Sequence, residues 1–197
     1  FINMPVSITT KHKFFDNQNN ALILFKDTFD DSYSTIIQDD FILIFSQNKL
    51  VGINILNYQK YFDLKEGYHV LSNDVKDWLL KKFNQYLSEE DFDCFYQIGK
   101  VIDIQQHNQS DKLKILTVLF NNDIKRQIIT NVSSINLNQN YLFATNGTTT
   151  FNGQKILDTQ VMKVKSEGMI VSYKTIGIEK EGLVDCSNLS LQDTYFF

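Results

Sequence analysis

The first seventy residues carry short apolar runs separated by polar turns, which is the pattern of a β-sheet. Three runs rich in β-branched and aromatic residues predict strands at residues 21–25, 41–45 and 50–56. Only the polar residues 46–49 separate the last two runs, and such a short polar connection is typical of a β-hairpin.

A helical period follows over residues 74–88. Apolar side chains recur there at steps of three and four residues, which places them on one face of a helix. They are Val75, Trp78, Leu79, Phe83, Tyr86 and Leu87. Asn73 or Asp74 is the predicted cap of this helix, and Asp77 is expected in its first turn.

The second half of the chain returns to strand patterns. The predicted strands are residues 95–104, 113–120, 124–130, 140–145 and 155–164. A tight turn is predicted at residues 121–123, and one helical turn at residues 131–137. Five short strands joined by polar turns fit a small closed barrel.

An acidic link at residues 88–93 separates these two patterns. We place a domain boundary there, between a small α/β domain over residues 1–93 and a barrel domain over residues 94–197. The predicted fold class is therefore an α+β N-terminal domain, with no assigned role, followed by a mainly β, five-stranded barrel.

Charge is distributed unevenly between the two halves. The 197 residues have a net charge of −4; residues 1–95 hold 9 basic and 14 acidic side chains, and residues 96–197 hold 10 and 9. A nearly neutral C-terminal half gives little long-range attraction to nucleic acid, so an RNA site would need locally clustered cations.

Composition narrows the class of protein. The apolar share of 43% is enough for a packed core, and no stretch approaches the ~20 apolar residues of a membrane span. Cys94 and Cys186 are far apart and lack metal-binding spacing, so free structural thiols are favoured over a disulfide or a reactive thiol. We expect a cytoplasmic protein without a membrane anchor.

Catalytic and metal-binding patterns are missing from the sequence. No Gly-x-Ser-x-Gly turn or phosphate-binding Gly-rich loop is present to accompany His12, His69 or His107. The acidic group Asp27, Asp30 and Asp31 is interpreted as a solvated loop rather than a metal site. We therefore expect no enzyme activity, no cofactor and no metal.

Residues 107–113 form the first of two informative words, His-Asn-Gln-Ser-Asp-Lys-Leu. Asp111 is expected to accept backbone N–H groups in this loop, and His107 to donate a ring N–H to a carbonyl. Strand alternation predicts Lys112 and Lys114 on the solvent face, with Leu113 and Ile115 in the core. These lysines fit either phosphate contact or plain solvation.

Residues 165–172 form the second word, Lys-Ser-Glu-Gly-Met-Ile-Val-Ser. Gly168 permits a positive φ or a close approach, and Met169 fits either the core or a nucleobase. The predicted RNA-binding set combines this word with neighbouring cations. It comprises Lys100, Lys112, Lys114, Arg126, Lys163, Lys165, Ser166, Met169, Ser172 and Lys174, with Lys125 beside Arg126.

The two words together resemble the signatures of the EMAP-type tRNA-binding module, His-Pro-x-Ala-Asp-Lys-Leu and Ser-x-Gly-Met-x-x-Ser. Gly99-Lys-Val, Gln127-Ile-Ile and Lys174-Thr-Ile-Gly-Ile also resemble segments of that family. The resemblance implies that the barrel is an OB-fold and that its ligand is tRNA. With the preceding domain, the chain resembles the free-standing YtpR-type arrangement; the same barrel occurs in the phenylalanyl-tRNA synthetase β subunit.

Departures from the family pattern leave other functions open. Asn108 and Ser110 replace the usual Pro and Ala, and Met162-Lys163 stands where the family has Arg-Gly. Loss of that Arg removes a bidentate phosphate ligand. The alternatives are a protein-interaction or dimerisation module that docks on a synthetase or another translation component, and a fragment of an aminoacylation enzyme.

Overall fold

The computed structural model describes residues 6–11, 20–25, 33–65, 67–92, 95–152 and 154–197. It divides into two compact units, residues 1–94 with 196–197, and residues 95–195. His12, Cys94, the acidic group at residues 27–31 and both residues of the predicted boundary lie outside the described residues. The exact domain limits stay a prediction.

Unit 1 is built on a six-stranded antiparallel sheet with strand order β3-β4-β5-β2-β1-β6. Its strands are β1 (Val6–Lys11), β2 (Asn20–Phe25), β3 (Ser34–Gln38), β4 (Phe41–Ser46), β5 (Lys49–Leu56) and β6 (Gly67–Val70). Gln47 and Asn48 both have positive φ, at 48° and 63°, as a two-residue hairpin turn requires. The predicted hairpin at residues 46–49 is therefore confirmed.

One helix, α1 (Asn73–Lys82), packs its apolar side against this sheet. The predicted helical face is confirmed for Val75 and Leu79, which are buried within the helix, while Phe83 and Leu87 are buried beyond its end. The predicted bounds are wrong: Ser72 is the cap, Asp77 lies beyond the first turn, and the helix stops before Phe83. Phe83 packs edge-on against Phe41, with ring centroids 5.5 Å apart, and this core contact overrides the local period.

A polar node ties the β3–β4 turn to the segment after β5. The Asp40 carboxylate accepts hydrogen bonds from Lys60 Nζ at 2.9 Å, Tyr61 Oη at 2.9 Å and Asn57 Nδ2 at 3.1 Å. The bond from Lys60, followed by that from Asn57, lowers the pKa of Asp40 below its usual value of 3.8.

Unit 2 contains a five-stranded antiparallel sheet with strand order β13-β10-β7-β8-β9 and a separate hairpin, β11-β12. The strands are β7 (Tyr96–Gln106), β8 (Lys114–Leu119), β9 (Lys125–Thr130), β10 (Asn140–Ala144), β11 (Thr159–Val161), β12 (Val164–Ser166) and β13 (Met169–Ile170). The sheet curls around a core that includes Val101, Leu116, Ile128, Phe143 and Ile170. The predicted fold class, an α+β unit followed by a five-stranded OB-type barrel, is confirmed.

Two local predictions in unit 2 are wrong. Residues 155–164 do not form one strand: a turn with positive φ at Met162 and Lys163 folds this region into the β11–β12 hairpin. The fifth strand of the barrel is instead the short β13, inside the second word. Residues 131–137 contain no helical turn. The tight turn at residues 121–123 is confirmed, with positive φ at Asn122 and Asp123.

Candidate nucleic-acid interface

The loop of the first word is ordered by its own backbone and side chains. The N–H of His107 donates to the carbonyl of Leu113 at 3.0 Å, which closes the loop. Ser110 Oγ accepts the N–H of Lys112 at 3.3 Å. The expectation that Asp111 accepts backbone N–H groups is wrong among the described residues, because the Ser110 hydroxyl takes that role and the Asp111 side chain is exposed.

His107 joins this loop to the β11–β12 hairpin. Its ring is 2% exposed, and Nδ1 accepts the N–H of Gln109 at 3.1 Å. A ring nitrogen that accepts carries no proton, so Nε2 is protonated and donates to the carbonyl of Val161 at 3.4 Å. The donation predicted for His107 is confirmed, and its acceptor lies 54 positions away in the sequence.

The second word closes the barrel through side chains as well as backbone. The buried Ser166 Oγ accepts the N–H of Ile129 at 3.1 Å and donates to the carbonyl of Gly168 at 3.1 Å. Glu167 N–H donates to the carbonyl of Gln127 at 2.8 Å, and the Glu167 carboxylate accepts the Gln127 N–H at 3.0 Å. The strand β9 is thus held to the second word along this seam.

Gly168 allows the chain to approach β10 at the same point. Its φ is 136°, and a Cβ on this residue would lie 2.7 Å from the carbonyl oxygen of Ala144. That distance is shorter than any normal contact, so only glycine fits. The close approach that the sequence predicted for Gly168 is confirmed.

An apolar groove with a volume of about 350 Å³ lies where the two words meet. Leu113 lines it from the first word, and Met169 and Ser172 from the second. Val161 lines it from the hairpin and Ile129 from β9. The Ser172 hydroxyl also caps the following turn by accepting the N–H of Thr175 at 3.3 Å, so this residue serves the fold as well as the groove.

The alternation predicted for β8 is reversed. Leu116 and Val118 are fully buried, so Lys114 shares their side of the strand, while Ile115 is only half-buried. Lys114 escapes the core because it begins the strand, where its Nζ donates to the carbonyl of Ser133 at 2.7 Å. The loop residue Lys112 is exposed, as predicted.

The predicted cations do not all gather at one point. Lys100 and Lys125 both pair with Leu119, at one end of β8, and Arg126 follows Lys125. Lys114 begins β8 at the opposite end, five residues away, or roughly 17 Å along the strand. Lys112 lies beyond that end and directly precedes Leu113, which lines the groove.

Several of these cations already have partners. Lys165 Nζ donates to the Glu167 carboxylate at 2.8 Å, which raises the pKa of Lys165 and lowers that of Glu167. Lys174 forms an ion pair with Glu181. Within the described part of the chain, the ammonium groups of Lys112 and Lys163 have no ion-pair partner, and both residues are exposed.

Known proteins resemble the chain over this unit. Residues 96–189 match the family model described as "Putative tRNA binding domain". The C-terminal half is therefore similar to this family, and the match spans a little less than half of the chain. The match covers the five strands of the barrel and both words, so the family signature coincides with the groove.

Two curated relatives are phenylalanine–tRNA ligase β subunits. The one from Leptospira interrogans is 31% identical over 88 residues, which is 45% of this chain and 11% of the relative. The one from Porphyromonas gingivalis is 34% identical over 84 residues, or 41% of this chain and 10% of the relative. The chain therefore matches about a tenth of the length of these relatives.

Sequence reasoning missed the residues that connect the two words. Val161 was assigned to a continuous strand, and its carbonyl instead receives His107. Glu167 and Gln127 belong to quoted motifs, yet their reciprocal hydrogen bonds cross 40 positions. No local period signals such a pairing.

No helix within the described residues is long and apolar enough to cross a membrane.

Proposed function

We propose that the C-terminal barrel binds tRNA, without catalysis, at the rim of the groove between the two words. The observation that carries this proposal is the contact from His107 to Val161. It draws the loop bearing Lys112 to the hairpin bearing Lys163. Both lysines are exposed and have no ion-pair partner among the described residues, which supports placing the RNA backbone beside them.

Phosphate contacts would supply most of the affinity at this rim. Lysine recognises phosphate as a point charge, and such contacts position an RNA without reading its sequence. Met169 would meet the apolar face of a sugar or base in the groove. Ser166 is 3% exposed and both its hydroxyl bonds are internal, so we assign it to the support of the site rather than to RNA contact.

The other predicted cations would add positive charge around the proposed site. Lys114 lies at the end of β8 nearer the groove, and Lys100 and Arg126 lie near its other end, where they would contact the RNA backbone farther from the groove. Lys165 and Lys174 would each need to exchange a carboxylate for a phosphate. In this proposal the protein is a cytoplasmic protein of the YtpR type, and tRNA is its partner.

A charge-reversal pair tests the proposal. Lys112→Glu combined with Lys163→Glu should abolish tRNA binding in a filter assay and flatten its salt dependence, since each lost phosphate contact removes about 0.7–0.9 from the slope of log K against log salt. Lys49→Glu combined with Lys81→Glu is the matched control. It gives the same net charge through two exposed lysines of unit 1. Equal losses in both pairs would mean that bulk charge, not the groove, attracts the RNA.

A second function is favoured by the ion pairs themselves. The bonds from Lys165 to Glu167 and from Lys174 to Glu181 neutralise two of the predicted cations. A barrel with that surface suits docking on an aminoacyl-tRNA synthetase, or self-association, better than binding of a polyanion. Light scattering and a pull-down before and after nuclease treatment separate the two functions. A partner protein that survives nuclease supports docking; loss of all partners supports tRNA.

A further inference from the structure

A second cleft of unit 2 lies beside the turn Tyr173–Ile176 and takes no part in the groove described above. Its volume is about 530 Å³, and Phe151 and Ile178 supply its apolar wall. Phe151 is 46% exposed at the mouth of this cleft. The backbone N–H of Phe151 donates to the carbonyl of Thr175 at 3.2 Å and fixes its position.

Gly177 forms the support for the Phe151 ring. A Cβ added to Gly177 would lie 2.8 Å from Cδ2 and 2.9 Å from Cγ of Phe151. The ring therefore rests against bare backbone, and Gly177 holds the positive φ of 75° that ends the turn. The exposed part of this aromatic ring, 46% of the residue, would offer a stacking surface for a flat ligand.

The charges around this platform cancel. Lys174, Glu179, Lys180 and Glu181 line the cleft, and Lys174 is ion-paired with Glu181. Lys180 lies 4.2 Å from the centroid of the Tyr173 ring and donates to its hydroxyl at 3.2 Å. A rim with equal numbers of ammonium and carboxylate groups does not favour phosphate. It does match the edge of a nucleobase, which carries both acceptors and donors.

We propose that this cleft binds one unpaired nucleobase of the RNA, stacked on Phe151, with its edge facing the lysines and glutamates of the rim. This inference rests on the proposed function, because the groove would hold the RNA backbone while the cleft takes a base. Stacked, splayed-out bases are how proteins commonly recognise single-stranded parts of RNA.

Replacement of the platform gives a measurable loss. Phe151→Ala should weaken tRNA binding about 5- to 140-fold, the range expected for one stacked base. The loss should be the same at low and high salt, because stacking displaces no counterions. Leu157→Ala is the matched control, since Leu157 is also apolar, exposed and close in the chain, and it should bind like the unchanged protein.

A fluorescent variant reports on the ring directly. Phe151→Trp should retain binding, and tRNA should quench its emission beyond the change seen in the unchanged protein, whose one tryptophan is Trp78. A blunt RNA duplex without unpaired bases should cause no such quenching. That contrast assigns the signal to stacking rather than to binding as a whole.

The outcomes separate the two proposals. If the unchanged protein binds no tRNA, the proposed function fails. If it binds tRNA and Phe151→Ala binds equally well, or Phe151→Trp shows no added quenching, the base site is wrong while the function stands. Loss of a partner protein, but not of tRNA, in Phe151→Ala would overturn the base site in favour of a protein contact.

Discussion

Ser166 offers the sharpest test of how the second word works. Ser166→Ala removes an acceptor from the buried N–H of Ile129 and a donor from the carbonyl of Gly168, both at 3.1 Å. A buried polar group left without a partner costs about 1–3 kcal/mol. The N–H has a single bonding direction to lose, and the carbonyl loses less, so we expect a destabilisation of about 2–3 kcal/mol.

Thermal or urea unfolding measures this loss. For a unit of this size, 1 kcal/mol corresponds to about 4–8 °C in Tm, so the midpoint of the barrel should fall by about 8–24 °C. Ser166→Thr and Ser166→Val form a matched pair, because both add bulk and only Thr keeps the hydroxyl. The Ser166→Val variant should therefore be less stable than Ser166→Thr, by most of the roughly 2–3 kcal/mol expected for loss of the hydroxyl.

The same variants separate support from contact. Measured well below the unfolding midpoint, Ser166→Ala should bind tRNA as tightly as the unchanged protein. A variant that unfolds normally but loses tRNA binding would refute the reasoning, since it would mean that the hydroxyl meets the RNA and not Ile129.

Three further predictions concern other parts of the chain. The Asp40 carboxylate stabilises unit 1 above its unfolded pKa, and this contribution should disappear as the pH falls through its lowered folded pKa; pH-dependent unfolding of Asp40→Asn should lack that component. Burial raises the pKa of the Cys186 thiol to about 11, so native protein should resist alkylation at this residue at pH 8, and mass spectrometry should find it modified only after unfolding. Gly168→Ala should destabilise the barrel more than Gly182→Ala, because a Cβ at residue 168 would lie 2.7 Å from the Ala144 carbonyl oxygen, while one at residue 182 would have nothing within 4 Å. Both glycines have positive φ, so the difference between the two variants in urea unfolding measures the effect of this contact.

Sequence periodicity predicted the elements better than their ends. The hairpin at residues 46–49 needs only two residues with positive φ, and polar turn residues indicate this local property. The end of α1 depends on where Phe83 meets Phe41, and the side of β8 that is buried depends on its neighbours in the sheet. Both features depend on tertiary contacts, which the pattern of apolar and polar residues along the sequence does not specify.

The residue types of the candidate site could be predicted from the sequence, but their arrangement in space could not. Both words signal their loop and turn chemistry through His107 and Gly168. The sequence does not signal that Val161 receives His107, or that Glu167 neutralises Lys165, because each outcome depends on a fold-dependent approach. The neutralisation matters most, since a count of lysines overstates the positive field that RNA would meet.

The seam between β9 and the second word has a dynamic consequence. Its links are one backbone bond from Glu167 to Gln127, the Glu167 carboxylate and the Ser166 hydroxyl, in place of a continuous ladder. Regions with few backbone bonds open with less free energy than the rest of a domain. In native-state hydrogen exchange, we expect the amides of Gln127, Ile129 and Glu167 to exchange well before those of the β7–β8 pairing. The barrel would then widen reversibly at the groove, which would let it adjust to a ligand without unfolding.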